Sequence, residues 1–364
     1  MAVNTGLAQL SNGFIVAALL AYSLAVLAFA GNFAFGKSRG AIGAVAKNRV
    51  PALAGVGAGA SVAAGGSADG GGEAVLPGAG AASSDGVTGT RSGSEFFKLP
   101  ATALTRGEGK PGIWVRVAMT ITFVALAAHM AGLITRGLAV HRLPWGDMYE
   151  FTVALTFVAV VFFLGLMIKY RAYYLGLFVI GAVVIALGLA ETVIYTAAGP
   201  LVPALQSYWL SIHVTAITLA VGTYFVAAVL GVVYLLADRH TRRVAAGRVS
   251  QSDGVMGMLP APEVLDRLAY RTVMFAFPLW TFGVIAGAIW ADEAWGRYWG
   301  WDPTETWAFI TWVVYACFLH ARSTAGWRGR KAAVIQLVGF GCLLFNMIGV
   351  SLFITGLHSY AGLN

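Results

Sequence analysis

Apolar residues run through this chain in blocks of about twenty, separated by short polar or basic stretches. Eight blocks fall near residues 14–35, 114–135, 149–168, 173–192, 208–237, 271–291, 304–320 and 332–357. Each is long enough to cross a hydrocarbon core as a helix. The pattern therefore predicts an all-α polytopic membrane protein of about eight transmembrane helices. It lacks the short alternating segments that mark an outer-membrane β-barrel. The first block follows an uncharged N-terminus without a small-residue cleavage pattern, so it is expected to be a retained helix rather than a signal peptide.

Composition sharpens this. Hydrophobic residues make up 58% of the 364 positions and charged residues 11%, with a mean hydropathy of +0.75, against about 25% charge in an ordinary soluble domain. A water-soluble enzyme is excluded. Of the 24 Lys and Arg, twenty lie in alternate connections, at 36–110, 169–172, 238–271 and 321–331. The opposite connections hold Arg136, Arg142 and Arg297, with Arg116 just inside the second helix. The positive-inside rule then places the basic connections in the cytoplasm and both termini outside. Topology and anionic lipid account for the net charge of +8, and no nucleic-acid partner is implied.

Three regions follow: an N-terminal transmembrane helix at 1–35, a linker at 36–112, and a transmembrane domain at 113–364. Within the linker, residues 54–90 contain 12 Gly, 10 Ala and 4 Ser, a composition unable to bury enough surface to order itself. A flexible cytoplasmic tether is expected there.

The cysteines exclude several chemistries. Cys317 and Cys342 both lie inside apolar blocks, so the chain has no CxxC redox centre, no Cys-ligated zinc site and no CxxCH haem attachment. Tryptophan points elsewhere. Six of eleven fall between 290 and 312, in the connection between helices six and seven that the topology puts outside. A belt of indoles at the headgroup level explains tryptophan alone. It does not call for the interleaved Asp292, Glu293, Asp302 and Glu305, and a flat aromatic platform for a planar ligand is the stronger expectation.

Two histidines reach the same leaflet from different helices. His213 lies about six residues into helix five, roughly 9 Å from its outer end, and His358 is expected at the outer end of helix eight. One imidazole from each side of a planar ligand is the arrangement of a bis-histidine haem iron. His320 falls near the cytoplasmic end of helix seven, a depth at which an ionisable side chain is a functional candidate. An interfacial histidine beside Arg322 is the competing reading, because no other histidine shares that depth. His129 fits helix packing or a spare ligand. His141 reads as a solvated loop residue and His240 as part of the basic surface.

The run Trp295, Gly296, Arg297, Tyr298, Trp299, Gly300, Trp301, Asp302, with Glu305 and Trp307, resembles the WWD signature of haem-handling membrane proteins. Across roughly 114–364 the chain resembles the CcsA/ResC family of cytochrome c maturation system II, called CcsB in some bacteria. Pro144 to Glu150 is similar to that family's Pro-x-x-Asn-x-Tyr-Glu element, with Asp147 where Asn is usual. The segments 207–213, 318–322 and 356–361 match as well. One departure is Thr304, where Lys is common after Asp-Pro.

The resemblance implies that His213 and His358 are external ligands of haem b, which is here both ligand and substrate. It implies that Trp295, Trp299, Trp301, Asp302, Glu305 and Trp307 line that site, and that His320 is a transmembrane haem ligand. It further implies a ResB-type partner subunit, apocytochrome c as acceptor of the haem, and an indirect dependence on thiol-reducing maturation proteins. The expected function is that of a cytochrome c synthase (haem lyase) component in the cytoplasmic membrane, conveying haem outward for attachment to CxxCH. An exporter that hands haem to a separate ligase, and a b-type electron-transfer subunit, are the competing functions.

Overall fold

The computed structural model describes residues 3–35, 111–201, 205–250, 254–324 and 326–358. Residues 36–110 of the expected linker lie outside the described residues. Eight long helices carry the fold: α1 (Thr5–Phe35), α2 (Ile113–Val140), α3 (Met148–Tyr170), α4 (Gly176–Thr192), α5 (Tyr208–Ala245), α6 (Pro262–Trp295), α7 (Pro303–Ser323) and α8 (Arg330–Leu344). No strand occurs among the described residues. Among the described residues seven helical runs are long and apolar enough to cross a membrane, α4 from Tyr173 and α8 continued to Val350 included; α7 is the exception. Its Glu305, Thr306, Trp307, Trp312, His320 and Arg322 dilute the apolar content that marks the other seven.

Consecutive helices pack antiparallel, and small residues let them approach. Along α1 and α2, Ser11 Oγ donates to the Gly132 carbonyl at 2.7 Å, while Gly31 lies against Trp114. Ala18, Ala25, Ala118 and Ala125 are fully buried in the same cluster, whereas Leu20, Leu24 and Leu27 project outward. Small residues inward and large apolar ones outward is the order expected where lipid is the solvent. On α5 and α6, His213 sits beside Gly287, Ile217 against Gly283 and Tyr224 against Trp280. Those three pairings fix the antiparallel register. The end of α6 and the start of α7 therefore share one end of the bundle with the start of α5.

Two guanidiniums, one buried and one half-buried, pin the α2–α3 connection. Glu150, 1% exposed, accepts from Arg136 Nε at 3.0 Å, from an Arg142 terminal nitrogen at 2.6 Å and from the Gly146 N–H at 2.8 Å. Asp147 caps α3 by accepting from the Glu150 N–H at 2.8 Å. The Pro144–Glu150 element is thus a cap and a charge clasp.

The apolar blocks and the helices differ at their ends. Helices α5 and α6 run beyond the predicted 208–237 and 271–291, because polar turns with good helix formers, such as 238–245 and 263–269, propagate a helix as readily as apolar ones. Helix eight, predicted to reach residue 357, instead passes through a π turn at Phe345–Val350 and ends with Ser351–Phe353. His358 stands past the helix end. Extended Ile354 turns the chain out of the helix, and Gly356 lets it cross closely over the start of α7.

Candidate functional site

The Trp-rich connection is folded around one carboxylate. Gly296 ends α6 in the left-handed region at φ +68°. Glu305, 8% exposed, then accepts from the Gly300 N–H at 2.8 Å, the Asp302 N–H at 3.1 Å and Arg297 at 3.1 Å. The Arg297 guanidinium lies over Gly300, and a side chain there would displace it from Glu305. Asp302 and Glu305 form a capping box at the start of α7, with Pro303 in the first helical turn. These contacts make Glu305 an organiser of the loop.

That fold presents the indoles unequally. Trp301, in the left-handed region at φ +58°, is 65% exposed and meets Trp299 edge-on with centroids 5.8 Å apart. Trp295 lies under Arg297 and packs edge-on against the His358 ring at 5.1 Å. Trp307 instead packs on Phe345 of the π turn, 4.4 Å between centroids, and serves the α7–α8 contact.

Each of the two expected iron ligands has its Nδ1 tied down. His213 Nδ1–H donates to the Gly283 carbonyl at 2.8 Å, and its ring lies 5.7 Å from that of Trp290. His358 Nδ1–H donates to Asp302 Oδ2 at 2.7 Å. Burial alone would lift the Asp302 carboxyl. The hydrogen bonds from His358 and the Leu357 N–H outweigh it and hold the group below the ordinary carboxylate range. Trp290 and Trp295 stand on the last two turns of α6, so that one helix end sets both imidazoles. A ring nitrogen opposite a fixed N–H donor is the usual state of a metal-binding histidine. The buried Trp290 indole N–H has no hydrogen-bond partner among the described residues. Two such imidazoles beside an unsatisfied donor and aromatic walls suit an iron porphyrin with acceptor groups on its rim.

The remaining histidines separate from this pair. His129 is fully buried and uses both nitrogens, accepting from Tyr22 at 3.5 Å and donating to the Val153 carbonyl at 3.0 Å. It ties α1, α2 and α3 together. His141 ends α2 in the left-handed region at φ 54°. His320 is exposed on α7, some 17 residues and roughly 26 Å from the Trp-rich end. Its neighbour Arg322 turns inward to Asp266 at 2.6 Å.

Sequence reading passed over Gly283, Gly287 and Trp290 as site residues. A Cβ at Gly287 would come within 2.6 Å of His213 Cε1, so the glycine makes the room that the imidazole occupies. The Gly-x-x-x-Gly spacing on α6 was the available signal.

The sequence profile described as Cytochrome C assembly protein matches residues 145–358. The chain belongs to the cytochrome c assembly protein family. The matched span holds His213, His320, His358 and the entire Trp-rich connection, and leaves out α1 and α2. The family member CcsA of Guillardia theta is 36% identical over 272 residues, covering 70% of this chain and 85% of that one. CcsA of Parasynechococcus marenigrum is 43% identical over 178 residues, 45% of this chain and 58% of the relative. CcsA of Chlamydomonas reinhardtii is 44% identical over 167 residues, 46% and 44% respectively. Among solved structures, cytochrome c haem lyase CcmF superposes with a TM-score of 0.52 at 17% identity. The match covers all of this chain and half of CcmF, and it is a likeness of fold. The protein is therefore a multi-pass membrane protein of cytochrome c biogenesis.

Proposed function

We propose that this chain is the haem-presenting subunit of a system II cytochrome c synthase, binding haem b between His213 and His358 beside the Trp-rich loop. The observation that carries the reading is the matched state of these imidazoles. Each has Nδ1–H committed to an acceptor, which puts the lone pair of each on Nε2. His129, with both nitrogens engaged, is the contrast to His213.

Attachment needs little from the protein as an acid or base. Each thioether forms when a cysteine thiol of CxxCH adds across a haem vinyl. A C–S bond forms, the vinyl π bond is consumed, and the thiol hydrogen ends on the neighbouring vinyl carbon, with no net oxidation. The contribution of this chain is to hold the macrocycle still while the thiols approach, and orientation of that kind is worth ~7–11 kcal/mol in favourable cases. Trp299 and Trp301 shield one side, and Glu305 keeps their loop in shape.

The positive-inside reading puts the Trp-rich loop outside the cytoplasmic membrane. His320, exposed near the opposite end of α7, then serves as a ligand for haem on its way outward. Its counterpart comes from a ResB-type subunit, since the other described histidines lie elsewhere. Thiol-reducing proteins keep the CxxCH acceptor competent.

Co-expression with a CxxCH reporter, with and without a ResB-type partner, in a host lacking its own maturation system tests the reading. Covalent haem on the reporter only when both subunits are present is expected. Haem release without attachment would instead identify an exporter, and haem retained permanently would identify an electron-transfer subunit.

A further inference from the structure

Asp302 makes three contacts that meet at one carboxylate. It caps α7 by accepting from the Thr304 N–H at 3.3 Å. It also receives the Leu357 N–H on Oδ1 and the His358 Nδ1–H on Oδ2, both at 2.7 Å. The group is 7% exposed. A Cβ on Gly356 would come within 2.7 Å of Oδ1, so the close passage of residues 356–358 over Asp302 depends on glycine. The helical run that α8 begins has already ended at Phe353. The two hydrogen bonds from 357 and 358 hold this segment against the Trp-rich loop.

From this geometry we infer that Asp302 is a positioning residue: it sets the location and the tautomer of His358 and does not itself touch haem. The inference rests on His358 being an iron ligand. An ionised carboxylate only accepts hydrogen bonds. The imidazole must therefore carry its hydrogen on Nδ1 and its lone pair on Nε2, and the negative partner makes that nitrogen a stronger donor to a metal. His213 receives no such help, because its Nδ1–H meets the neutral carbonyl of Gly283. Asp302 also joins the fold of the loop to the placement of the ligand, since the same carboxylate starts α7.

Asp302→Asn, read with and without His358, separates these roles. The amide oxygen can keep accepting the Leu357 N–H, while the amide N–H₂ takes the place of Oδ2, gives up the Thr304 N–H, faces Nδ1 and favours the tautomer with hydrogen on Nε2. The purified complex with its ResB-type partner should lose roughly 10–100-fold in haem affinity, and the low-spin six-coordinate absorption of the outer site should give way to a high-spin form. In a His358→Ala background supplied with imidazole, whose orientation Asp302 does not dictate, Asp302→Asn should lower haem content no further. A wild-type spectrum in Asp302→Asn overturns the inference. So does an equal loss in the His358→Ala background with imidazole, which would mean that Asp302 touches haem or merely folds the loop. If His358→Ala alone leaves haem content and spectrum unchanged, the ligand assignment itself fails and the inference falls with it. Should Asp302→Asn not accumulate in membranes, Gly356→Val reads the same contact. It keeps Asp302 in place, and it should give the same spectral change; a wild-type spectrum there overturns the inference.

Discussion

The His213 ring occupies the space that a side chain on Gly287 would need, with Cε1 and Nδ1 2.6 and 2.7 Å from where a Cβ would stand. The imidazole is simultaneously held by the Gly283 carbonyl one turn away. Two glycines on α6 therefore give His213 its depth and its tautomer. Gly287→Ala should push the ring off that carbonyl, cost about 1–3 kcal/mol by overpacking, and lower haem affinity at least several-fold. Haem content per purified protein and thermal stability in detergent check both effects together.

Trp299 and Trp301 meet edge-on outside the helical bundle, with Trp301 largely exposed. Removing both indoles should leave membrane insertion intact and reduce haem occupancy, since little core packing depends on them. Full haem content in the double alanine variant would return the loop to the role of an interfacial belt.

Asp147 caps α3, and its environment disfavours the charge. Burial, then repulsion from Glu150, pushes its carboxyl up to about 6 despite Arg136 and Arg142. A carboxyl raised in the folded state costs stability once it ionises, so the ionised cap should weaken as pH rises from about 4 through 6. Asp147→Asn keeps an oxygen to accept the Glu150 N–H and removes the charge. It should flatten that dependence and stabilise the protein by about 1 kcal/mol at pH 7. Melting curves from pH 4 to 8 give the answer; a larger pH dependence in the variant would contradict it.

His320 is exposed on the bundle surface while Arg322 faces inward to Asp266. A six-coordinate iron at His320 must then draw its second ligand from another chain. Protein purified alone should carry haem at the outer pair without a second low-spin site. The ResB-type partner should restore that site, and His320→Ala should abolish it and reduce the haem reaching His213 and His358. Unchanged haem content and maturation in the His320→Ala complex would leave it an ordinary interfacial histidine.

The membrane-spanning parts of the helices were legible because apolar blocks of about twenty residues admit few other structures. Their ends were not. Polar helical turns extend α5 and α6, and residues 354–357 are apolar enough to read as helix although Ile354 leaves it. That His213 and His358 come to the Trp-rich end was readable from their depth. The bonds of Glu305 to Gly300, Asp302 and Arg297 were not, because they depend on how the loop turns back on itself. The Arg136–Glu150 pair depends on how the α2–α3 connection folds back, and spacing alone does not reveal it.

The most direct test of the account is the absorption spectrum of the complex with its ResB-type partner, recorded for wild type, His213→Ala and His358→Ala, with and without added imidazole. The account predicts that either substitution removes the low-spin six-coordinate signature of the outer site and abolishes cytochrome c maturation, and that imidazole restores both in part by filling the vacated axial position. An unchanged spectrum and full maturation in either variant would contradict it.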